Sequence, residues 1–123
     1  MQTGKITFGE FIRQKRVAQA ITLRKMADRM GYSPTYWSDI ENGRRNPPGM
    51  EKLELICDEL GLIPADRDQL FDLAGDFVQI PPPDLNDYLQ EPSVRRALRT
   101  AKKHHVAPKD WEEFEKSILG KNS

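Results

Sequence analysis

The sequence predicts an all-α protein: a domain of five short helices over residues 1–75, then a short helical extension over residues 76–123. Three observations carry that expectation. Apolar residues recur at helical spacing within short segments. Small polar residues, prolines and glycines sit where those segments should start and stop. Three consecutive prolines, Pro81 to Pro83, mark a stiff boundary before a stretch of different composition.

In "FGEFIRQKRVAQA" the residues Phe8, Phe11, Ile12 and Val17 outline an inward face, with Arg13, Lys15 and Arg16 around it. Thr22 is a suitable N-cap for "LRKMADRM", which places Leu23, Met26, Ala27 and Met30 inward and stops at Gly31. Ser33 caps a third helix, with Pro34 at the first helical position, where its missing N–H costs nothing, and the helix runs to Asn42-Gly43. Only Gly31 and Tyr32 separate Met30 from that cap. Two short helices joined so tightly must cross steeply, which is a helix-turn-helix unit. A fourth helix, "PGMEKLELICDELG", turns Met50, Leu53, Ile56 and Leu60 inward and stops at Gly61; a fifth, "PADRDQLFDLAG", adds Leu70, Phe71 and Ala74 before Gly75.

The stretch "ITLRKMADRMGYSPTYWSDIENGRRNPP" resembles the Cro and phage-repressor (XRE-like) helix-turn-helix family, over about residues 6 to 75. The resemblance implies a lambda-repressor-like five-helix domain that binds double-stranded DNA through the helix starting at Ser33. It makes Ala27 the small residue where the second and third helices touch, Gly31 the turn glycine, Ile40 a core residue and Glu41-Asn42-Gly43 the helix end. It also implies a structural bridge between Arg16 and Glu41. Two positions depart from the family pattern. Leu23 stands where a phosphate-touching glutamine is common, and Trp37 stands where a smaller aliphatic residue is usual.

A helix laid in the major groove needs short polar side chains at its start and along one face, with aromatics anchoring the other. Trp37 and Ile40 point inward, while Thr35, Ser38, Asp39 and Asn42 share the opposite side. Pro34, Thr35, Ser38 and Asp39 are therefore the candidates for base contacts. A carboxylate only accepts hydrogen bonds, which suits the exocyclic amine of cytosine; the other partners open to Asp39 are a nearby cation such as Arg44, or solvent. Tyr36, on the flank, is assigned a phosphate contact in preference to core packing. Asn42, Arg44, Arg45 and Asn46 reach phosphates from the helix end and the loop after it. Arg24 and Lys25 lie in the first turn of a helix, where cations oppose the macrodipole; either a phosphate at that terminus offsets this or both side chains are simply solvated.

Net charge is zero, but residues 1–50 carry nine Lys/Arg against four Asp/Glu, residues 51–92 two against eleven, and residues 93–123 eight against four. A basic head followed by an acidic middle suits local steering toward a polyanion. The extension should form helices near Asp84 to Leu89, Ser93 to His104 and Pro108 to Leu119. Its large apolar residues, Trp111, Phe114 and Ile118 among them, must be covered by the head, as a stabilising cap, or by a second chain.

No Gly-rich phosphate loop, CxxC pair, HExxH or nucleophile motif occurs, so neither enzymatic activity nor a cofactor or metal is expected. His104 and His105 are adjacent, cannot share a helix face, and read as helix-end cations. Cys57 reads as a small buried residue. No apolar run is long enough to span a membrane and "MQTGKITFGEF" has no signal core, so a cytoplasmic protein is expected. The function expected is a sequence-specific transcriptional regulator, a repressor acting as a homodimer on an inverted repeat. The alternatives are the antitoxin of a toxin–antitoxin pair, with a protein partner at the C-terminal extension, and an interaction module that has lost DNA binding.

Overall fold

The computed structural model describes residues 5–121; the first four residues, which open the stretch expected to lack a signal core, and the last two lie outside the described residues. Among the described residues all regular structure is helical: α1 (Phe8–Ala18), α2 (Leu23–Met30), α3 (Pro34–Glu41), α4 (Met50–Glu59), α5 (Pro64–Val78), α6 (Pro92–Lys103) and α7 (Pro108–Lys121), with 3₁₀ turns at Pro83–Leu85 and Tyr88–Gln90. They form two compact units, one ending at Asn86 and one beginning at Asp87.

Local chemistry sets most of the helix ends in the first unit. Thr7 Oγ1 accepts from the Glu10 N–H at 3.1 Å while Glu10 Oε1 accepts from the Thr7 N–H at 3.0 Å, a reciprocal capping box that starts α1. Thr22 and Ser33 each accept from the N–H three residues on, at 3.1 Å, and so start α2 and α3. Between them Gly31 takes a left-handed φ of 76°, closing α2 and turning the chain into α3.

The core between these helices is apolar and closed, with Ile12, Met26, Trp37, Leu53, Ile56, Leu70 and Phe71 fully buried. Each such side chain contributes roughly 1.5–3 kcal/mol relative to exposure. Burial pushes the Cys57 thiol pKa up, which keeps it an inert core residue. Val17, expected to point inward, is 60% exposed. At 100° per residue it lies about 180° from Phe8, and the inward position on that turn belongs to Arg16. Met50, also expected inward, sits at the edge of the inward arc of α4 and is exposed.

Two glycines are required by close approach rather than by a turn. A Cβ on Gly9 would lie 2.2 Å from the Glu41 carbonyl oxygen, so α1 crosses the end of α3 backbone against backbone. Gly75 corrects the sequence reading. It does not stop α5, which continues to Val78 and ends at Gln79 with a φ of 59°. The chain leaving the helix folds back over Gly75, where a Cβ would meet the Ile80 carbonyl oxygen at 2.6 Å, and the Ile80 N–H donates to the Gly75 carbonyl at 3.0 Å. The prolines and the first 3₁₀ turn thus belong to the first unit, and the expected boundary after residue 75 moves to Asn86.

The second unit holds the two helices α6 and α7. Pro92 opens α6, where the Glu91 carboxylate accepts from the Ser93 N–H at 3.1 Å, and the link to α7 passes through His105 at a left-handed φ of 52°. The expected helix near Asp84 to Leu89 is two separate 3₁₀ turns. Neither α6 nor α7 contains a buried residue, and Leu98, Trp111, Phe114 and Ile118 remain exposed.

Candidate nucleic-acid interface

The position of α3 rests on one carboxylate. Glu41 Oε2 accepts from Arg16 Nε at 2.7 Å and from the Trp37 indole N–H at 2.6 Å, while Oε1 accepts from Arg16 Nη2 at 2.9 Å and from Arg13 Nε at 3.4 Å. Arg16 also donates from Nη1 to the Ile21 carbonyl at 2.9 Å, tying the α1–α2 connection into the same network. The Arg16 and Glu41 side chains are 10% and 1% exposed, so the pair is desolvated and its lone pairs and protons are satisfied within the protein. Trp37, unusual for its position, supplies an indole donor four residues before the carboxylate it meets.

With α3 so fixed, its outward side presents Thr35, exposed, and Ser38 and Asp39, half-buried, with Pro34 half-buried at the helix start. Asn42, expected to reach a phosphate, is exposed and caps α3: its amide donates to the Ser38 carbonyl at 2.9 Å and to Ser38 Oγ at 3.2 Å, and its carbonyl accepts from Arg13 Nη2. Its side chain is engaged, though still at the surface.

Asp39 has the cationic partner that was one of its three options. Its carboxylate lies 3.3 Å from Arg44 Nη1 and 3.8 Å from Arg45 Nε. The Arg45 guanidinium is at the same time 4.2 Å from the Tyr36 ring centroid, so Tyr36 supports a cation, and the Tyr36 ring meets that of Tyr32 at 4.6 Å, tilted by 36°. Both arginines stay at least half exposed at their side chains, and Asn46 is exposed beside them. The Arg44 N–H donates to the Asp39 carbonyl at 2.8 Å across Gly43, which returns the loop along α3 and sets both cations beside its outward face.

Arg24 and Lys25 are exposed at the start of α2 and, with Thr22, Asp28, Tyr32 and Pro34, line an open cleft between the first turns of α2 and α3. Burial and the neighbouring Tyr36 push the Tyr32 hydroxyl pKa up, so it stays a neutral donor there. Two residues at this surface were missed. Arg13 joins Glu41 to Asn42, and Lys52 donates to the Met30 carbonyl at 2.7 Å while lying 5.0 Å from the Tyr32 ring centroid. Nothing local to "MEKLEL" signals that role; it depends on α4 packing against the end of α2. Among the described residues no cluster of three or more His, Cys, Asp or Glu could hold a metal, and no helix is long and apolar enough to cross a membrane.

Truncating Glu41 strands the Arg16 charge in the core, so Glu41→Ala should destabilise the protein by about 3–5 kcal/mol and lower Tm by more than about 10 °C. Arg13→Ala, on the exposed side of the network, should cost about 1 kcal/mol or less. Thermal melts of both variants check this, and a Glu41→Ala melt superimposable on the parent would show that the network does not hold α3.

Comparison with known proteins agrees with the fold. The family model described as a helix-turn-helix domain matches residues 7–70, just over half of the 123-residue chain. No curated protein matches the chain. A solved structure titled SinR protein/SinI protein complex is similar at 19% identity, covering 94% of this chain and 98% of that one, with a TM-score of 0.44. The chain belongs to the helix-turn-helix domain family.

Proposed function

We propose that the protein is a sequence-specific DNA-binding transcriptional regulator, a cytoplasmic repressor acting as a homodimer on an inverted-repeat operator, without enzymatic activity or cofactor. The observation that carries this reading is the outward face of α3, where Thr35, Ser38 and Asp39 are flanked by Arg44 and Arg45 on one side and by the α2 and α3 first turns on the other. Short polar groups reach base edges while the surrounding cations and helix termini hold phosphates. Pro34 and Thr35 lead into the groove, Ser38 and Asp39 follow, and Arg24, Lys25, Tyr36, Asn42, Asn46, Arg44 and Arg45 set the register. On binding, the two arginines pass from Asp39 to phosphates, and the freed carboxylate accepts from the exocyclic amine of a cytosine.

The second unit supplies the pairing of two heads. Leu98, Trp111, Phe114 and Ile118 are exposed on α6 and α7, and a two-fold operator needs two heads held together.

Changing Arg44 and Arg45 together to Ala should weaken binding to specific and random duplexes alike and flatten the dependence of log affinity on log salt by about one or two units. Binding unchanged at low salt would remove both from the interface. An apolar protein interface would scarcely respond to salt at all.

Asp39→Asn should relax discrimination at one base pair per half-site by about 1–3 kcal/mol and shift preference toward adenine, which an amide binds through two hydrogen bonds. Site selection from a random pool checks this; identical preferred sites for both proteins would take Asp39 out of the readout.

A chain ending at Asn86 should fold, sediment as a monomer, and bind a paired site far more weakly than the full chain, because the second head is no longer tethered. Equal assembly states for the two chains would move pairing into the first unit or abolish it.

A further inference from the structure

We infer that one face of α6 is a second phosphate-binding surface, which lies along the backbone of duplex DNA without reading its sequence. The inference rests on the DNA-binding reading above. Within Pro92–Lys103 stand Arg95, Arg96, Arg99, Lys102 and Lys103 and no acidic residue. At 100° per residue all five fall within an arc of about 120°, while Val94, Ala97, Leu98 and Ala101 occupy the opposite side. Leu98 and Ala101 line a cleft with Lys102, His105, Val106 and Trp111, which turns that side of the helix to the cleft, with Lys102 at its rim and Arg95, Arg96, Arg99 and Lys103 outside it.

All five cations are exposed, and among the described residues none of them is in an ion pair with a carboxylate. In the first unit, by contrast, most cations have acidic partners, Arg13, Lys15, Arg16, Arg29, Arg44, Arg45 and Arg67 among them, while Arg24, Lys25 and Lys52 are in no such pair among the described residues. Arg95 donates to the Leu89 carbonyl and, at 2.8 Å, to Gln90 Oε1, contacts that steady its side chain without neutralising it. The spacing works against the isolated helix. Arg95–Arg99 and Arg99–Lys103 are four apart, and Arg96–Arg99 and Arg99–Lys102 three apart, so every neighbour on the face repels. A polyanion turns those repulsions into attractions.

The chemistry of the arc favours nucleic acid over an acidic protein. Apart from Pro92 at the helix start it contains no apolar side chain, and it has no aromatic of the kind that anchors a protein interface. Three of its five members are arginines, whose planar guanidinium groups match phosphate oxygens two at a time. Residues four apart on a helix are separated by about 6 Å along its axis, close to the rise of two nucleotides on one strand. No Asn or Gln stands on the face to read a base edge, so its contribution is to affinity and register.

The test uses the full chain carrying Arg96→Gln, Arg99→Gln and Lys103→Gln, since glutamine keeps helix propensity and removes charge. Helix content is verified by circular dichroism, and binding to a random-sequence duplex of about 30 base pairs is titrated across salt, beside the parent and the Arg44→Ala/Arg45→Ala variant. The expected result is a slope flattened by about two to three units, at about 0.9 per phosphate released, with low-salt affinity reduced at least tenfold and selected sites unchanged. A parent-like slope in the α6 variant, with the head variant flattened, overturns the inference and leaves the DNA reading standing. The reverse pattern supports the inference and removes the head assignment, and parent-like slopes in both variants overturn the two together. A parent-like slope accompanied by loss of salt-sensitive self-association assigns the arc to an acidic face of a second copy and likewise overturns the inference.

Discussion

The buried Glu41 carboxylate governs the geometry of the first unit. It sits at the end of α3, yet its partners come from α1, through Arg16 and Arg13, and from α3 itself, through Trp37. Burying a carboxylate is expensive, and only near-complete satisfaction makes it tolerable. That requirement demands a backbone contact so close that Gly9 is the residue that fits under the Glu41 carbonyl. A polar network thus fixes the rotation and depth of α3 more narrowly than apolar contact alone would, since apolar packing is indifferent to direction. The side chains on the outer face inherit that fixed position.

The outer face is governed by weaker, exchangeable electrostatics. Asp39 holds Arg44 and Arg45 by contacts of 3.3 and 3.8 Å at side chains that remain half exposed, and Arg45 also rests on Tyr36. Exposed pairs of this kind are worth little in net stability. They nevertheless restrict where two long side chains go, so the loop is organised before any ligand arrives. The molecule therefore separates a rigid inner charge network from a loose outer one, three helical turns or less apart on the same short segment.

What could be read in the sequence follows from how far each signal reaches along the chain. Thr22, Gly31, Ser33 and Pro34 act within one helical turn of themselves, and α2, the turn and α3 were legible from them. The inward faces of α2, α3 and α5 followed from spacing, but Val17 did not, because Arg16 takes the inward place once Glu41 is there to receive it. Gly75 read as a stop and is a contact; the partner is the Ile80 carbonyl, brought back by a turn that no local pattern announces. The functions of Arg13 and Lys52, and the choice Asp39 makes among its possible partners, depend on side chains from other elements or across a turn, and only coordinates supply those. The capping box of Thr7 and Glu10 and the four-residue step from Trp37 to Glu41 are, by contrast, local patterns that the reading of the sequence passed over.

The two tryptophans of the chain are divided between the two units, and their surroundings could hardly differ more. Trp37 is fully buried with its indole nitrogen bound to a carboxylate, whereas Trp111 is 40% exposed, in edge contact with Phe114 at 6.2 Å. An indole held in a dry core and one wetted by solvent emit at different wavelengths. The protein therefore carries an intrinsic optical label on each unit: the blue component of its fluorescence reports the integrity of the head, and the red component reports whatever comes to cover the second unit.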